Sequence, residues 1–120
     1  MRHGTTGADF ERKVKQAEAA LRARDMTRAR ADIAEAMALD MDAPQPHNLL
    51  GILYEMAGDF QAARKHYRAG YALDPTYKPC CRNLERITGF EGSAFLNGRV
   101  YAEDAEADAV RAGASAANQH

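Results

Sequence analysis

Tryptophan is missing from this 120-residue chain, and aromatic residues of all kinds make up only 8% of it. A core built around a few large rings is therefore excluded, and burial has to come from many small, close contacts. Cysteine is scarce as well, with Cys80 and Cys81 adjacent in sequence, and neighbouring thiols supply no cross-link framework. A reducing cytoplasm is the expected location. Nowhere does a run of about 18 apolar residues occur that could span a membrane, and the polar opening MRHGTTGAD contains no apolar targeting segment. A soluble chain with no membrane partner is expected. Nor is there an excess of one charge: 16 Lys and Arg face 17 Asp and Glu, for a formal net charge of -1. The global positive field of a nucleic-acid binder is absent, so no nucleic-acid partner is expected.

Signatures of chemistry are equally sparse. No phosphate-binding glycine-lysine loop and no dinucleotide fingerprint occurs. His3, His47, His66 and His120 have no Cys or carboxylate companions at metal-ligand spacing. The acids Asp40, Asp42, Asp59, Asp74, Glu103, Asp104, Glu106 and Asp108 lack a calcium-loop cadence and read as turn and surface charges. Cys80 and Cys81 fall near the start of a predicted helix with Lys78, Arg82 and Arg86 close by, a setting that can lower a thiol pKa. A buried, inert thiol is the plainer reading. A non-enzymatic chain follows, with no catalytic residue, no cofactor and no metal.

What the chain does contain is helical periodicity. Residues 1–8 are polar and read as a flexible lead-in, with Asp9 as a candidate N-cap for a helix starting at Phe10. Val14, Ala17, Ala20 and Leu21 recur at helical spacing; Arg24-Asp25 interrupts the pattern, and Ala29, Ile33, Ala36 and Met37 resume it. Pro44 pre-sets the next helix, which carries Leu50, Leu53 and Tyr54, and Gly58-Asp59 turns the chain into a partner helix, Phe60 to Leu73, limited by Pro75. Lys78 to Thr88 reads as a further first helix, soon interrupted by Gly89 and Gly92. Phe90, Phe95, Leu96, Val100 and Tyr101 are placed to pack back over the open end of the array, 102–112 is helical on propensity, and 113–120 reads as a flexible tail.

Sliding the chain against itself by 34 residues aligns Ala23 with Ala57, Asp25 with Asp59, Ala29 with Ala63, and Ala38-Leu39-Asp40 with Ala72-Leu73-Asp74. One offset keeps two helices and their turns in register. Small residues at matched positions let paired helices approach, and the larger Leu, Ile, Tyr and Phe seal one hairpin to the next.

On these residues the chain resembles the tetratricopeptide repeat (TPR) family. Leu50, Gly51 and Tyr54 match its first-helix signature, and Ala63 and Pro75 its second; His47 stands in place of tryptophan and Tyr67 in place of phenylalanine, with Gly70 at another small position. The preceding unit matches more loosely, through Ala17, Ala20, Ala29, Ile33 and Ala36, with Met41 in place of proline. The resemblance implies an all-α fold of tandem antiparallel helix hairpins, a short right-handed solenoid with a C-terminal capping segment. Its domain would span residues 9–112: unit one 10–43, unit two 44–77, a partial third unit 78–89 and a cap 90–112.

The resemblance further implies a concave face lined by first helices that accepts a protein or peptide partner. Carrying its groove positions onto this chain gives Glu11, Val14, Glu18 and Leu21, then Gln45, Asn48, Ile52 and Glu55, then Arg82 and Arg86. Of these, Val14, Glu18, Gln45, Asn48, Ile52, Glu55, Arg82 and Arg86 are the candidate partner-binding residues. Asn48 can donate to and accept from a peptide backbone, Ile52 offers apolar contact, and Arg82 and Arg86 can meet a carboxylate. Family members that clamp a C-terminal carboxylate use lysine and asparagine where this chain has Val14, Glu18 and Leu49, so a chaperone-tail receptor is a poor fit. An adaptor for a peptide or partner helix is the leading expectation. The alternatives are a small structural or self-assembling module, with a possible homo-oligomer, and a secretion-type chaperone for an extended client.

Overall fold

The computed structural model describes residues 3–89 and 98–101 of the chain. Within them the elements are five α-helices: α1 (His3–Arg22), α2 (Met26–Leu39), α3 (Gln45–Met56), α4 (Phe60–Leu73) and α5 (Lys78–Thr88). α1 packs on α2 and α3 on α4 as hairpins; α2 and α1 then contact α3, and α5 packs on α4 and α3.

The 34-residue offset is written into the hydrogen bonds that end and start the helices. In the first hairpin Asp25 N–H donates to Ala20 O at 2.8 Å and Arg24 N–H to Leu21 O at 3.0 Å; in the second, Asp59 N–H donates to Tyr54 O at 2.8 Å and Gly58 N–H to Glu55 O at 3.0 Å. Both turns need a left-handed residue, Arg24 at φ 60° and Gly58 at φ 85°, the usual way of closing a helix C-terminus. The next residue caps the following helix. Asp25 Oδ1 accepts from Arg28 N–H at 3.1 Å and Asp59 Oδ1 from Ala62 N–H at 3.0 Å, satisfying amides that a helix start leaves without partners. Each second helix then ends on an aspartate whose carboxylate holds the turn that follows, Asp40 with the amide of Asp42 and Asp74 with that of Thr76, both at 3.0 Å.

Helix α1 corrects one expectation. It starts at His3, not Phe10, so residues 3–8 are helical rather than a flexible lead-in, and Asp9 lies inside the helix with its carboxylate on Arg12 Nη1 at 2.8 Å. Extending an existing helix is far easier than nucleating one, and no proline precedes Phe10 to stop it.

The core is small-residue packing. Ala17, Leu21, Ala29, Ile33 and Ala36 of the first hairpin join Leu49, Ile52, Leu53, Ala63 and Tyr67 of the second in one buried cluster, with Leu84 and Ile87 of α5 packed against it. Two glycines set the closest approaches: a Cβ on Gly51 would overlap the Tyr67 ring, and one on Gly70 would overlap Cys80 Sγ. Gly51 thus lets α4 seat its one fully buried ring on α3, and Gly70 lets α5 dock on α4. The expected capping residues Phe90, Phe95 and Leu96, and residues 102–120, lie outside the described residues.

Candidate functional site: the face shared by the first helices

On α3, Asn48, Ile52 and Glu55 recur at helical spacing and share one face, and all three are buried. Asn83 and Arg86 of α5 are buried as well, and they meet the α3 residues directly. Asn83 Nδ2 donates to Asn48 Oδ1 at 2.8 Å, while Arg86 forms a two-pronged pair with Glu55, Nη1 to Oε2 at 2.8 Å and Nη2 to Oε1 at 2.6 Å. Tyr67, reaching across from α4, donates its hydroxyl to Glu55 Oε1 at 2.8 Å. Burial, and then the charge of Glu55, push the Tyr67 phenol well above its ordinary range. Further bonds support this buried charged pair, since Glu55 also takes the Tyr67 hydroxyl and Arg86 Nη2 also reaches Asn83 Oδ1 at 3.0 Å.

The partner that completes this face is the chain itself. Residues 98–101 lie across it outside any helix, and Val100 is held through its backbone. Its N–H donates to Asn83 Oδ1 at 2.8 Å, and its carbonyl accepts from Asn83 Nδ2 at 2.8 Å and from Asn48 Nδ2 at 3.0 Å. An amide side chain that bonds both the N–H and the C=O of one residue does what a neighbouring β-strand would do. With Arg86 Nη2 also donating to its Oδ1 at 3.0 Å, both protons and both lone pairs of the Asn83 carboxamide are used. On one side of Val100, Arg99 Nε lies 3.4 Å from Glu55 Oε2. On the other, the buried Tyr101 ring lies under the Arg22 guanidinium of α1, 4.1 Å from the ring centroid, within cation–π range.

Of the residues expected on this face, Val14, Glu18, Asn48, Ile52, Glu55 and Arg86 are buried, whereas Gln45 and Arg82 are only partly covered. Of the two arginines expected to meet a partner's carboxylate, Arg86 meets the chain's own Glu55 and is only 7% exposed. Asn83 was not among the expected residues. A 34-residue slide pairs Asn48 with Arg82, but the structure pairs it with Asn83, one position further along α5. The spacing of Asn83 and Arg86, three apart on a helix and both able to bond a carbonyl or carboxylate, is the signal that could have found it.

With this geometry in place, a comparison with known families finds a match: residues 44–77, the α3–α4 hairpin with its flanking turns, match the tetratricopeptide repeat family. This hairpin is similar to a tetratricopeptide repeat. No solved structure matches the chain.

Among the described residues, no group of three or more His, Cys, Asp or Glu side chains could hold a metal ion, and no helix is long and apolar enough to cross a membrane. Cys80 and Cys81 are free thiols. Burial beneath Gly70, and then the neighbouring thiol, push Cys80 up to about 12; Cys81 is also raised, by burial and then Glu85. Neither is an activated thiol. His47, in the signature tryptophan position, stacks on His66 with ring centroids 5.6 Å apart, and Tyr54 also stacks on His66 at 5.4 Å. The two Nδ1 atoms are 3.4 Å apart. Three flat rings from α3 and α4 thus meet between the two helices.

Proposed function

We propose that the chain is a protein-interaction adaptor that holds an extended peptide segment across the face formed by α1, α3 and α5, its hairpins stacked as a short right-handed solenoid. One observation carries this reading: Asn48 and Asn83 grip a polypeptide through backbone groups that every peptide has. Main-chain bonds of this kind supply affinity, and the flanking side chains supply selectivity. The two free thiols suit a reducing cytoplasm.

The test is to select binders from a random peptide library on the full chain and then measure the selected peptides against Asn83→Asp. This substitution preserves size and removes the two amide protons. Selected peptides should bind the variant at least roughly tenfold more weakly, the equivalent of one good hydrogen bond to a buried group. Undiminished binding would move the partner site off this face.

A further inference from the structure

Resting on the adaptor reading, the residues around Val100 say which segment the groove takes and how access to it is controlled. The buried acids of the face, Glu18 and Glu55, outnumber its one buried base, Arg86. Arg99 redresses that balance by placing its guanidinium against Glu55 Oε2. Val100, buried and bonded at both backbone groups, admits an apolar residue that favours extended backbone, as β-branched residues do. Tyr101 joins the same apolar cluster as Ile52 and Leu21 and stacks under Arg22. Each of the three positions therefore has its own recognition chemistry: a carboxylate, a pair of carboxamides, and an apolar floor beneath a guanidinium.

We infer that the groove is selective for the triplet guanidinium, β-branched aliphatic, aromatic, and that Arg99-Val100-Tyr101 occupies it as a built-in competitor which partner segments of the same chemistry displace. Eight residues, 90–97, connect Gly89 to Gly98, and a tether this short gives an effective concentration of about a millimolar. An incoming segment meets a binding face that is free only part of the time, so its apparent affinity falls by the free fraction. The partner must therefore match the triplet or be presented in several copies.

Fluorescence anisotropy on the full-length chain tests this. The probe is a labelled, end-blocked peptide with the sequence of residues 98–101 flanked by Gly-Ser, measured against wild type and against the triple variant Arg99→Glu, Val100→Gly, Tyr101→Ala. The variant should bind the probe at least roughly tenfold more tightly than wild type, and a shuffled peptide should bind the variant at least roughly tenfold more weakly than the probe. Equal affinity of wild type and variant would overturn the competitor role while leaving the adaptor reading standing. Equal binding of probe and shuffled peptide would overturn the triplet. If neither protein binds the probe but both bind library-selected peptides, the inference fails alone; if they bind neither, the adaptor reading fails with it. Nuclear magnetic resonance on wild type guards against a destabilised variant: saturating unlabelled peptide should move the Val100 methyl signals to positions of unstructured chain, and unmoved signals would overturn displacement.

Discussion

Glu55 shows how much one side chain organises here. A carboxylate that is 2% exposed accepts the Tyr67 hydroxyl, both prongs of Arg86 and the approach of Arg99. Replacing it with glutamine keeps the shape but leaves Arg86 charged and buried without a counter-charge. We expect Glu55→Gln to lower stability by about 3 kcal/mol, read from the urea midpoint, in line with removing one partner of a buried pair. Gly51 is decisive for a different reason, since its backbone is ordinary helix and only space is lacking. Gly51→Ala gains helix propensity but drives a methyl into the Tyr67 ring, and a net loss of about 2 kcal/mol is expected from overpacking. Unchanged stability would mean that α4 can slide away from α3 without penalty.

At the scale of the element, α2 to α5 were largely legible, because their ends are marked by residues with local reasons to be there. Asp25 and Asp59 cap helices through their own carboxylates, Gly58 takes the left-handed turn, and prolines stand at the starts of α3 and α5. The start of α1 was not legible, since nothing in the opening residues marks a boundary and the helix simply runs on. The caps make a prediction: Asp25→Ala and Asp59→Ala should each cost about 1 kcal/mol and add when combined, because the two turns share no partners. Thermal melts of the two singles and the double would show it, and a double no worse than either single would contradict it. The two turns also differ in one instructive way. Arg24 holds the left-handed conformation that Gly58 holds in the second unit, so Arg24→Gly should raise stability by roughly 0.5 kcal/mol, the relief of strain less the extra freedom of the unfolded chain.

For the molecule as a whole, acid should be destabilising, and the stacked histidines set where that begins. Burial lowers His47 below the ordinary histidine value of 6.5; burial, His47 and Lys65 lower His66. A depressed folded pKa means that the unfolded chain binds more protons below 6.5. The associated stability is therefore full above that pH and is lost as pH falls through the folded values. The melting temperature should be flat between about pH 7 and 8, below the range where an unfolded thiol ionises, and decline from about pH 6.5 downward, and His47→Phe with His66→Phe should flatten the upper part of that decline. An identical slope in the double variant would assign it to other groups. Whole-molecule contacts were also the least legible in sequence. Asn48 was recognisable as a backbone-binding residue, but its pairing with Asn83 and Val100 crosses 35 and 52 positions. No period predicts an irregular segment settling on helices so distant in the chain. Val100 bonds Asn48 and Asn83, and Tyr101 stacks beneath Arg22, so the two residues together span the first helices.

The groove-bound segment also has a direction. Arg99 sits at Glu55 of α3, Val100 is held between α3 and α5, and Tyr101 reaches Arg22 of α1. The polypeptide therefore runs from the later helices towards the first, against the order in which the chain builds them. On the proposed function, a protein captured in the same sense would project its C-terminal side towards α1, so the groove would orient its cargo as well as hold it.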